Sequence, residues 1–317
     1  GWEISVSGVP VKVKNFEWKT IFNWSKNNSM VESLPEGIDK IQIGSGVYNV
    51  KSYAEVGKPY GAIYAKTFKR DAEGYILCQL DGSPKEGQDY EYLGCVQADW
   101  RGGWNNVFRL GNFSFSVMFD FQKGGKFFSQ TSIQSSVDGQ SVKSLEGRDA
   151  DFFSRKILGE SDEERYGFMR PQNANTPTAN GQIYPDWGRP KGVVLPNCRY
   201  DEDVEGLAGQ QVLGYCTPER YWMHYTSRDI SRFIYDASYV KLREITVSYD
   251  LPKKWLRKTP FQTFRVAAVG RNIATLFANT PHGLDPQATS TTGNAQGFER
   301  GFNLPSATYG FDIKVSF

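Results

Sequence analysis

The chain has 317 residues, and its 37 Lys and Arg nearly balance its 35 Asp and Glu, which excludes the clustered positive excess of a nucleic-acid-binding protein. The mean hydropathy is −0.51, and no segment approaches the roughly 18–20 consecutive apolar residues that a membrane-spanning helix needs. A transmembrane β-barrel is not excluded by this composition, because only alternate residues of its strands have to be apolar.

The first two predicted strands cover residues 1–10 and 15–27, and both alternate with a period of two. Successive side chains of a strand point to opposite faces, so this pattern gives each strand one apolar and one polar face. The apolar positions are Trp2, Ile4 and Val6 in the first strand, and Phe16, Trp18, Phe22 and Trp24 in the second. Thr20 and Ile21 interrupt the second pattern.

The next two predicted strands cover residues 97–110 and 112–123. The second of these alternates with a period of two, with Met118 as its one interruption. Its apolar positions are Phe113, Phe115, Val117, Phe119 and Phe121.

Three further strands are predicted at residues 236–250, 261–275 and 304–317. The first of them changes phase between Leu242 and Ile245, which predicts a β-bulge near Arg243 and Glu244. The last ends with alternating apolar residues up to the aromatic Phe317, which is typical of the final strand of an outer-membrane barrel.

The predicted connections alternate between short and long. Short ones lie near residues 9–15, 110–112 and 251–260, and long ones cover about 28–98, 124–235 and 277–303. Short turns at one end of a meander and long loops at the other are typical of the periplasmic turns and extracellular loops of bacterial outer-membrane barrels. We therefore expect an all-β, antiparallel transmembrane barrel segment of about seven strands, whose missing strands come from another polypeptide or from another segment of the same protein.

The predicted register assigns a set of polar side chains to the barrel interior, where they would hydrate the lumen and contact a plug inside the barrel. These predicted lumen-facing residues are Glu17, Lys19, Asp120, Gln122, Arg265, Arg271, Asp312 and Lys314.

The loops supply weaker candidates. Trp187, Tyr221, Trp222 and Tyr225 are candidate contacts for a substrate or a lipoprotein, although packing between loops, or against the lipoprotein, is the simpler interpretation of these aromatic residues. The cysteines permit the disulfides Cys78–Cys95 and Cys198–Cys216, or remain reduced. The acidic group around Asp201 has the oxygen atoms of a calcium site but lacks EF-hand spacing, so a solvated loop is the simpler interpretation. We assign no catalytic residue, metal or cofactor.

Several local sequences resemble the C-terminal region of SusC/RagA-type TonB-dependent transporters. Residues 235–245 are similar to that family's strand DASFVKLREV, and residues 270–276 resemble its GRNL strand. Residues 283–287 resemble its DPE loop with Gln287 in place of Glu, and residues 305–317 resemble its YGF ending with Thr308 where Arg is common. Residues 99–103 and 120–125 resemble two further elements, although Ala98 and Gln122 depart from the usual Pro and Arg.

The resemblance implies that residues 1–317 are the C-terminal part of a barrel of about 22 strands in the outer membrane of a Gram-negative bacterium. It implies a plug domain and N-terminal domains outside these residues, TonB acting through the plug, and a SusD-like lipoprotein over the extracellular mouth. The implied substrates are oligosaccharides or peptides, and the implied role is transport without catalysis. The chain would be embedded in the membrane through its strands, with the long loops on the extracellular side.

Two other classes of protein fit parts of the pattern. A secreted β-sandwich that binds glycans through loop aromatics would bury its apolar strand faces in an internal core. A β-rich glycoside hydrolase would need two carboxylates at a fixed separation across a cleft, and no sequence spacing tests that requirement.

Overall fold

The computed structural model describes residues 1–80, 82–145, 193–216, 221–281, 283–288, 293, 296–301 and 306–317. In chain order, the strands are β1 (Trp2–Val13), β2 (Phe16–Lys26), β3 (Lys40–Ser45), β4 (Lys51–Glu55), β5 (Ala62–Ala65), β6 (Ile76–Cys78), β7 (Glu91–Cys95), β8 (Trp100–Leu110), β9 (Phe113–Lys123), β10 (Lys126–Ser129), β11 (Val193–Tyr200), β12 (Gln211–Cys216), β13 (Ile234–Asp236), β14 (Tyr239–Asp250), β15 (Thr263–Ala278), β16 (Phe298–Glu299) and β17 (Thr308–Ser316). The helices are α1 (Gln130–Val137) and α2 (Lys253–Leu256), with a π-helical turn at Tyr221–Tyr225 and 3-10 turns at Val142–Leu145, Thr226–Arg228 and Ile230–Phe233.

Seven of the strands form one long antiparallel sheet, in the order β1-β2-β8-β9-β14-β15-β17. These are the seven strands that the alternation predicts. Each pairs with the next of the seven, and the strands that lie between them in sequence belong to the long connections. The predicted antiparallel barrel segment is therefore confirmed. Within the described residues β1 and β17 each pair on one side only, so the sheet is an open arc.

The register places apolar residues of all seven strands on the same face, which we call the apolar face. One cross-strand row shows this, because the seven neighbouring strands contribute Val11, Trp18, Phe108, Phe115, Val247, Ala268 and Phe311 in turn. The row contains two stacked aromatic pairs, Trp18–Phe108 and Phe108–Phe115, with ring centroids 5.9 and 6.1 Å apart. Such cross-strand pairs each stabilise a sheet by roughly 0.2–1 kcal/mol.

The polar interruption at Thr20 has a structural explanation. Thr20 lies opposite Asn106 on the apolar face, and each of these side chains accepts a hydrogen bond from an indole N–H. Trp104 donates to the Thr20 hydroxyl at 2.9 Å, and Trp18 donates to Asn106 Oδ1 at 3.0 Å. Such pairing lowers the cost of placing polar atoms on an otherwise apolar face.

The predicted β-bulge is confirmed. The register of β14 shifts between Leu242 and Glu244 against both of its neighbours, β9 and β15. The extra residue is Arg243, and it allows Leu242 and Ile245 to lie on the same face despite their odd separation. A second irregularity lies in β1, between Gly8 and Val11.

The three long connections fold together at one end of the long sheet, and we call their described residues the cap. Two of its small sheets combine strands from different connections: β12-β11-β6 joins the first and second, and β13-β10-β16 joins the second and third. A third sheet, β3-β4-β5-β7, lies within the first connection. The buried carboxylate of Glu299 also joins connections, because Ser129 and Thr131 hydroxyls donate to it at 2.6 Å.

Two clusters of buried side chains form the core of the cap. One surrounds Phe68, Trp222 and Val193, and the other surrounds Phe128, Phe233 and Phe298. The opposite end of the long sheet has only short turns, at residues 14–15, 111–112 and 251–262. Among the described residues, no helix has the length and apolar character needed to cross a membrane.

Candidate functional site

The face of the long sheet opposite the apolar face, which we call the polar face, is the candidate functional surface. All eight predicted lumen-facing residues lie on it, because each is in the strand phase opposite to the apolar positions. One cross-strand row runs from Glu17 through Arg109, Ser114, Ser248 and Ala267 to Asp312. The strand phase and the bulge therefore predict the face correctly, while the lumen-facing role of these residues stays a prediction.

Pairs of opposite charge are distributed along the polar face. Arg265 donates two hydrogen bonds to the Asp250 carboxylate, at 2.6 and 2.8 Å. Arg271 donates to Glu244 at 2.9 Å, directly across the β14–β15 pair. Lys12 lies 3.0 Å from Glu17 at the short-turn end. These pairs are part-exposed, so each contributes at most about 1 kcal/mol to stability, and their main effect is to keep the face hydrated with little net charge.

A denser polar network lies where the polar face meets the cap. Lys241 is largely buried and donates to both oxygens of Asp285, at 2.5 and 2.6 Å. Gln287 donates to the Tyr239 hydroxyl at 2.6 Å and accepts from Arg243 at 2.6 Å. Arg243 also pairs with Asp120, so residues 283–288 of the third connection are held against the polar face.

Two residues of this network, Asp120 and Gln287, also stand out in the sequence. Asp120 is predicted to face the lumen, and Gln287 is the residue at which the loop 283–287 departs from the DPE pattern that it resembles. Tyr239, Lys241 and Asp285 were not selected as site residues. No sequence pattern reports the contact between Lys241 and Asp285, which lies 44 positions later, or the burial that makes Lys241 need a counter-charge.

A concavity of about 700 Å³ lies beside this network at the β1 side of the sheet. Most of its lining consists of polar-face residues: Glu3, Ser5, Asn23, Ser25, Arg101 and Asp120. Arg101 donates to Gln122 at 2.9 Å, which fixes the guanidinium along the sheet. The concavity therefore offers hydroxyl, amide and charged groups to a polar ligand.

The apolar face has the opposite character, because large apolar side chains on it are exposed. The exposed fraction is 85% for Phe311, 62% for Ile313 and 58% for Phe113. No second sheet covers these side chains in the described part of the chain, whereas a β-sandwich would bury them between two sheets. An apolar surface of this extent requires a partner that is itself apolar, and a lipid bilayer meets that requirement.

The interpretation of the loop aromatics as packing between loops is correct for the described ones, and their alternative role as contacts for a substrate or a lipoprotein needs correction. Tyr221, Trp222 and Tyr225 are buried in the cap core, with 0%, 1% and 3% of their surfaces exposed. They pack with Phe68 and Val193 and cannot stack on a substrate or a lipoprotein without unfolding this core. Trp187 lies outside the described residues.

The predicted disulfides also need correction. Cys78 lies in β6 and Cys95 in β7, which belong to different sheets, and Cys95 is a free thiol near the carbonyl of Tyr60. In the β11–β12 pair Cys216 is opposite Val193, and Cys198 is opposite Val212. This register separates Cys198 and Cys216 by several residues along the ladder, about 13–16 Å, and a disulfide needs Cα atoms within roughly 7 Å.

The acidic loop binds lysines. Asp201 is buried and accepts from Lys69 and Lys85, each at 2.8 Å, and Lys85 also pairs with Asp203. Burial opposes ionisation of Asp201, but these hydrogen bonds outweigh it and lower its pKa to about 2. Within the described residues, no cluster of three His, Cys, Asp or Glu is arranged to hold a metal ion. The lysines therefore take the place that calcium would have at Asp201.

The comparisons with known proteins agree with this geometry. No family model matches the chain. A curated relative, the TonB-dependent receptor P3 of Formosa agariphila, is 23% identical over an alignment of 331 positions with gaps, which covers 98% of this chain and 27% of that protein. The chain thus spans about a quarter of this relative's length.

Solved structures of the RagAB peptide importer have a similar fold. In the open-open state of RagAB, the matching chain has a TM-score of 0.52 and 14% identity, and the match covers 99% of this chain and 28% of that chain. Another structure of the RagAB peptide transporter has a TM-score of 0.53 at the same identity, with 99% and 29% covered. These comparisons confirm the resemblance to SusC/RagA-type TonB-dependent transporters that the local motifs predict.

Proposed function

We propose that the chain forms the C-terminal part of the barrel wall of a TonB-dependent outer-membrane importer. The observation that carries this proposal is the separation of the seven-stranded sheet into an exposed apolar face and a charged, hydrated face. A wall between lipid and a water-filled lumen needs that separation along every strand. The similarity to a TonB-dependent receptor and to the RagAB importer supports the same role.

The polar face has properties that suit passage of a hydrophilic solute. Its charges are paired across strands, as in Arg265–Asp250 and Arg271–Glu244, so they keep water in the lumen without a strong field of one sign. The cap supplies a folded structure at the end of the strands that we place outside the cell.

Partners and substrates follow from the same proposal. The open edges of β1 and β17 require other strands, and import requires a plug domain on which TonB acts. We propose a SusD-like lipoprotein over the cap and oligopeptides or oligosaccharides as substrates. RagAB is a peptide importer, and it supports the peptide alternative for this chain through fold similarity only.

The experiment that tests the facing of the sheet substitutes arginine on either side of one strand in the full-length receptor. Val117 lies on the apolar face, and its neighbour Ser116 lies on the polar face. We expect Val117→Arg to cost roughly 2–4 kcal/mol near the centre of the bilayer and to reduce the amount of heat-modifiable receptor in the outer membrane. Ser116→Arg is the matched control and should assemble normally.

Transport is measured separately in cells that produce the assembled receptor. Uptake of labelled oligopeptides and oligosaccharides should require both the receptor and TonB, and deletion of either should abolish it. Normal assembly of Val117→Arg would contradict the facing of the sheet. Uptake that is independent of the receptor would contradict the importer role even if the facing is right.

A further inference from the structure

A row of two tryptophans and two lysines crosses the apolar face next to the cap. Trp2 is opposite Lys26 in the β1–β2 pair, and Trp100 is opposite Lys123 in the β8–β9 pair. The β2–β8 register pairs Ser25 with Arg101, so the next residues, Lys26 and Trp100, are neighbours in the same row. The row is therefore Trp2, Lys26, Trp100 and Lys123, on four consecutive strands.

The strand phase places both lysines on the side that faces lipid. Lys26 follows Trp24 by two residues, and Lys123 follows Phe121 by two residues. Trp100 confirms the side, because its ring packs edge-on against Phe121 with centroids 5.9 Å apart. A lysine in this phase is costly at the centre of a bilayer and is tolerated at its boundary, where tryptophan is also favoured.

The charges of the row lack a protein counter-ion. Lys123 is exposed and Lys26 is half-buried, and neither takes part in an ion pair in the part of the chain that the structure describes. Asp236, which the β10–β13 pair places opposite Lys126, already pairs with that lysine at 3.4 Å. The two positive charges of the row therefore remain available to an anion at the membrane surface.

We infer that Lys26 and Lys123 bind the phosphate groups of a lipid headgroup in the leaflet next to the cap, with Trp2 and Trp100 at the boundary of the acyl chains. The two lysines flank β8, so their backbones are two strand spacings apart, about 9–10 Å. Flexible lysine side chains at this backbone separation can each reach one phosphate. The two phosphates can belong to one headgroup or to two neighbouring headgroups. The inference rests on the proposed function, in which the apolar face contacts lipid.

The test uses the full-length receptor, purified in a non-ionic detergent and titrated with diphosphoryl lipid A in native mass spectrometry. We expect lipid adducts on the unsubstituted receptor, and an apparent affinity that falls about tenfold or more in the double variant Lys26→Gln/Lys123→Gln. Lys14→Gln is the matched control, because Lys14 is an exposed lysine in the turn at the opposite end of β1 and β2. This control should bind as the unsubstituted receptor does.

Two further probes identify the part of the lipid that is recognised. Dephosphorylated lipid A should bind weakly and equally to all variants, and inorganic phosphate should give no adduct. The inference would be overturned if the double variant bound diphosphoryl lipid A as tightly as the unsubstituted receptor does. It would also be overturned if the unsubstituted receptor bound the dephosphorylated lipid as tightly as the diphosphoryl one. A phosphate adduct that the double variant loses would also overturn it, since it would indicate a site for free phosphate.

The outcome is separable from that of the proposed function. The double variant should still reach the outer membrane and import its substrate, because neither lysine lies on the polar face. If the receptor assembles with the expected facing and the lysines have no effect on lipid binding, only the present inference fails. If Val117→Arg assembles normally, the proposed facing fails first.

Discussion

Asp201 shows how the cap retains an ionised carboxylate in its interior. Only 3% of its side chain is exposed. Two lysines of the first connection, Lys69 and Lys85, donate hydrogen bonds to its carboxylate. Burial alone would raise its pKa, but the hydrogen bonds stabilise the charged form and hold the pKa at about 2. The residue thus joins the first and second long connections through charge.

Substitution of Asp201 tests this junction. Because the folded-state pKa of Asp201 is lower than its unfolded value of 3.8, its contribution is complete above about pH 4 and is lost as the pH falls towards 2. We expect Asp201→Asn to destabilise the cap by about 2 kcal/mol at neutral pH, with a difference from the unsubstituted protein that shrinks at low pH. Protection of the cap from trypsin measures the neutral-pH effect, and pepsin measures the acid limb.

The matched control for this test is Asp203→Asn. Asp203 pairs with the same Lys85, but 70% of its side chain is exposed, so its loss should change stability little. Equal protease sensitivity of the two variants would show that burial of Asp201 adds nothing to the junction.

At the scale of elements, the contact between residues 283–288 and β14 determines how the third connection lies over the polar face. Lys241 is 6% exposed and Asp285 is 15% exposed, so water competes weakly for their ion pair. Arg243 and Gln287 add a second attachment beside it. Charged hydrogen bonds therefore hold the segment together with the burial of Pro286 and Ala288, and removal of one charged partner should loosen it.

Lys241→Met tests this attachment and keeps a long, unbranched side chain at the position. We expect amide hydrogen exchange of residues 283–288 to accelerate about tenfold or more, while exchange of β9 and β15 stays unchanged. Arg271→Gln serves as the control, because Arg271 is in an exposed pair on the same face and 65% of its side chain is exposed. Unchanged exchange of residues 283–288 in Lys241→Met would mean that other contacts hold the segment.

The long sheet could be predicted from the sequence and the cap could not, for a physical reason. Alternation reports which residues share a face, so all seven strands, the bulge at Arg243 and the polar phase of Asp120 and Gln122 were accessible. The cap depends on pairings such as that of β6 with β11, whose partners lie more than a hundred residues apart. No local period reports those pairings, and the burial of Tyr221 and Trp222 follows from them.

At the scale of the whole molecule, the unpaired edges of β1 and β17 lead to a last prediction. Each edge carries backbone N–H and C=O groups that pair with nothing in the described residues, and each such group in lipid costs several kcal/mol. The apolar and polar faces are fixed by register, so pairing of both edges with further strands satisfies these groups without exposing the polar face to lipid.

Residues 1–317 produced alone should therefore fail to form a compact barrel in detergent, whereas the full-length receptor should form one. We expect the receptor to migrate faster in gel electrophoresis before heating than after, and residues 1–317 to show one heat-independent position. Co-refolding with the preceding strands of the receptor, supplied as a separate polypeptide, should restore the fast-migrating species as a complex. A fast, protease-resistant species formed by residues 1–317 alone would mean that the two edges pair with each other or with a second copy, and the requirement for other strands would be wrong.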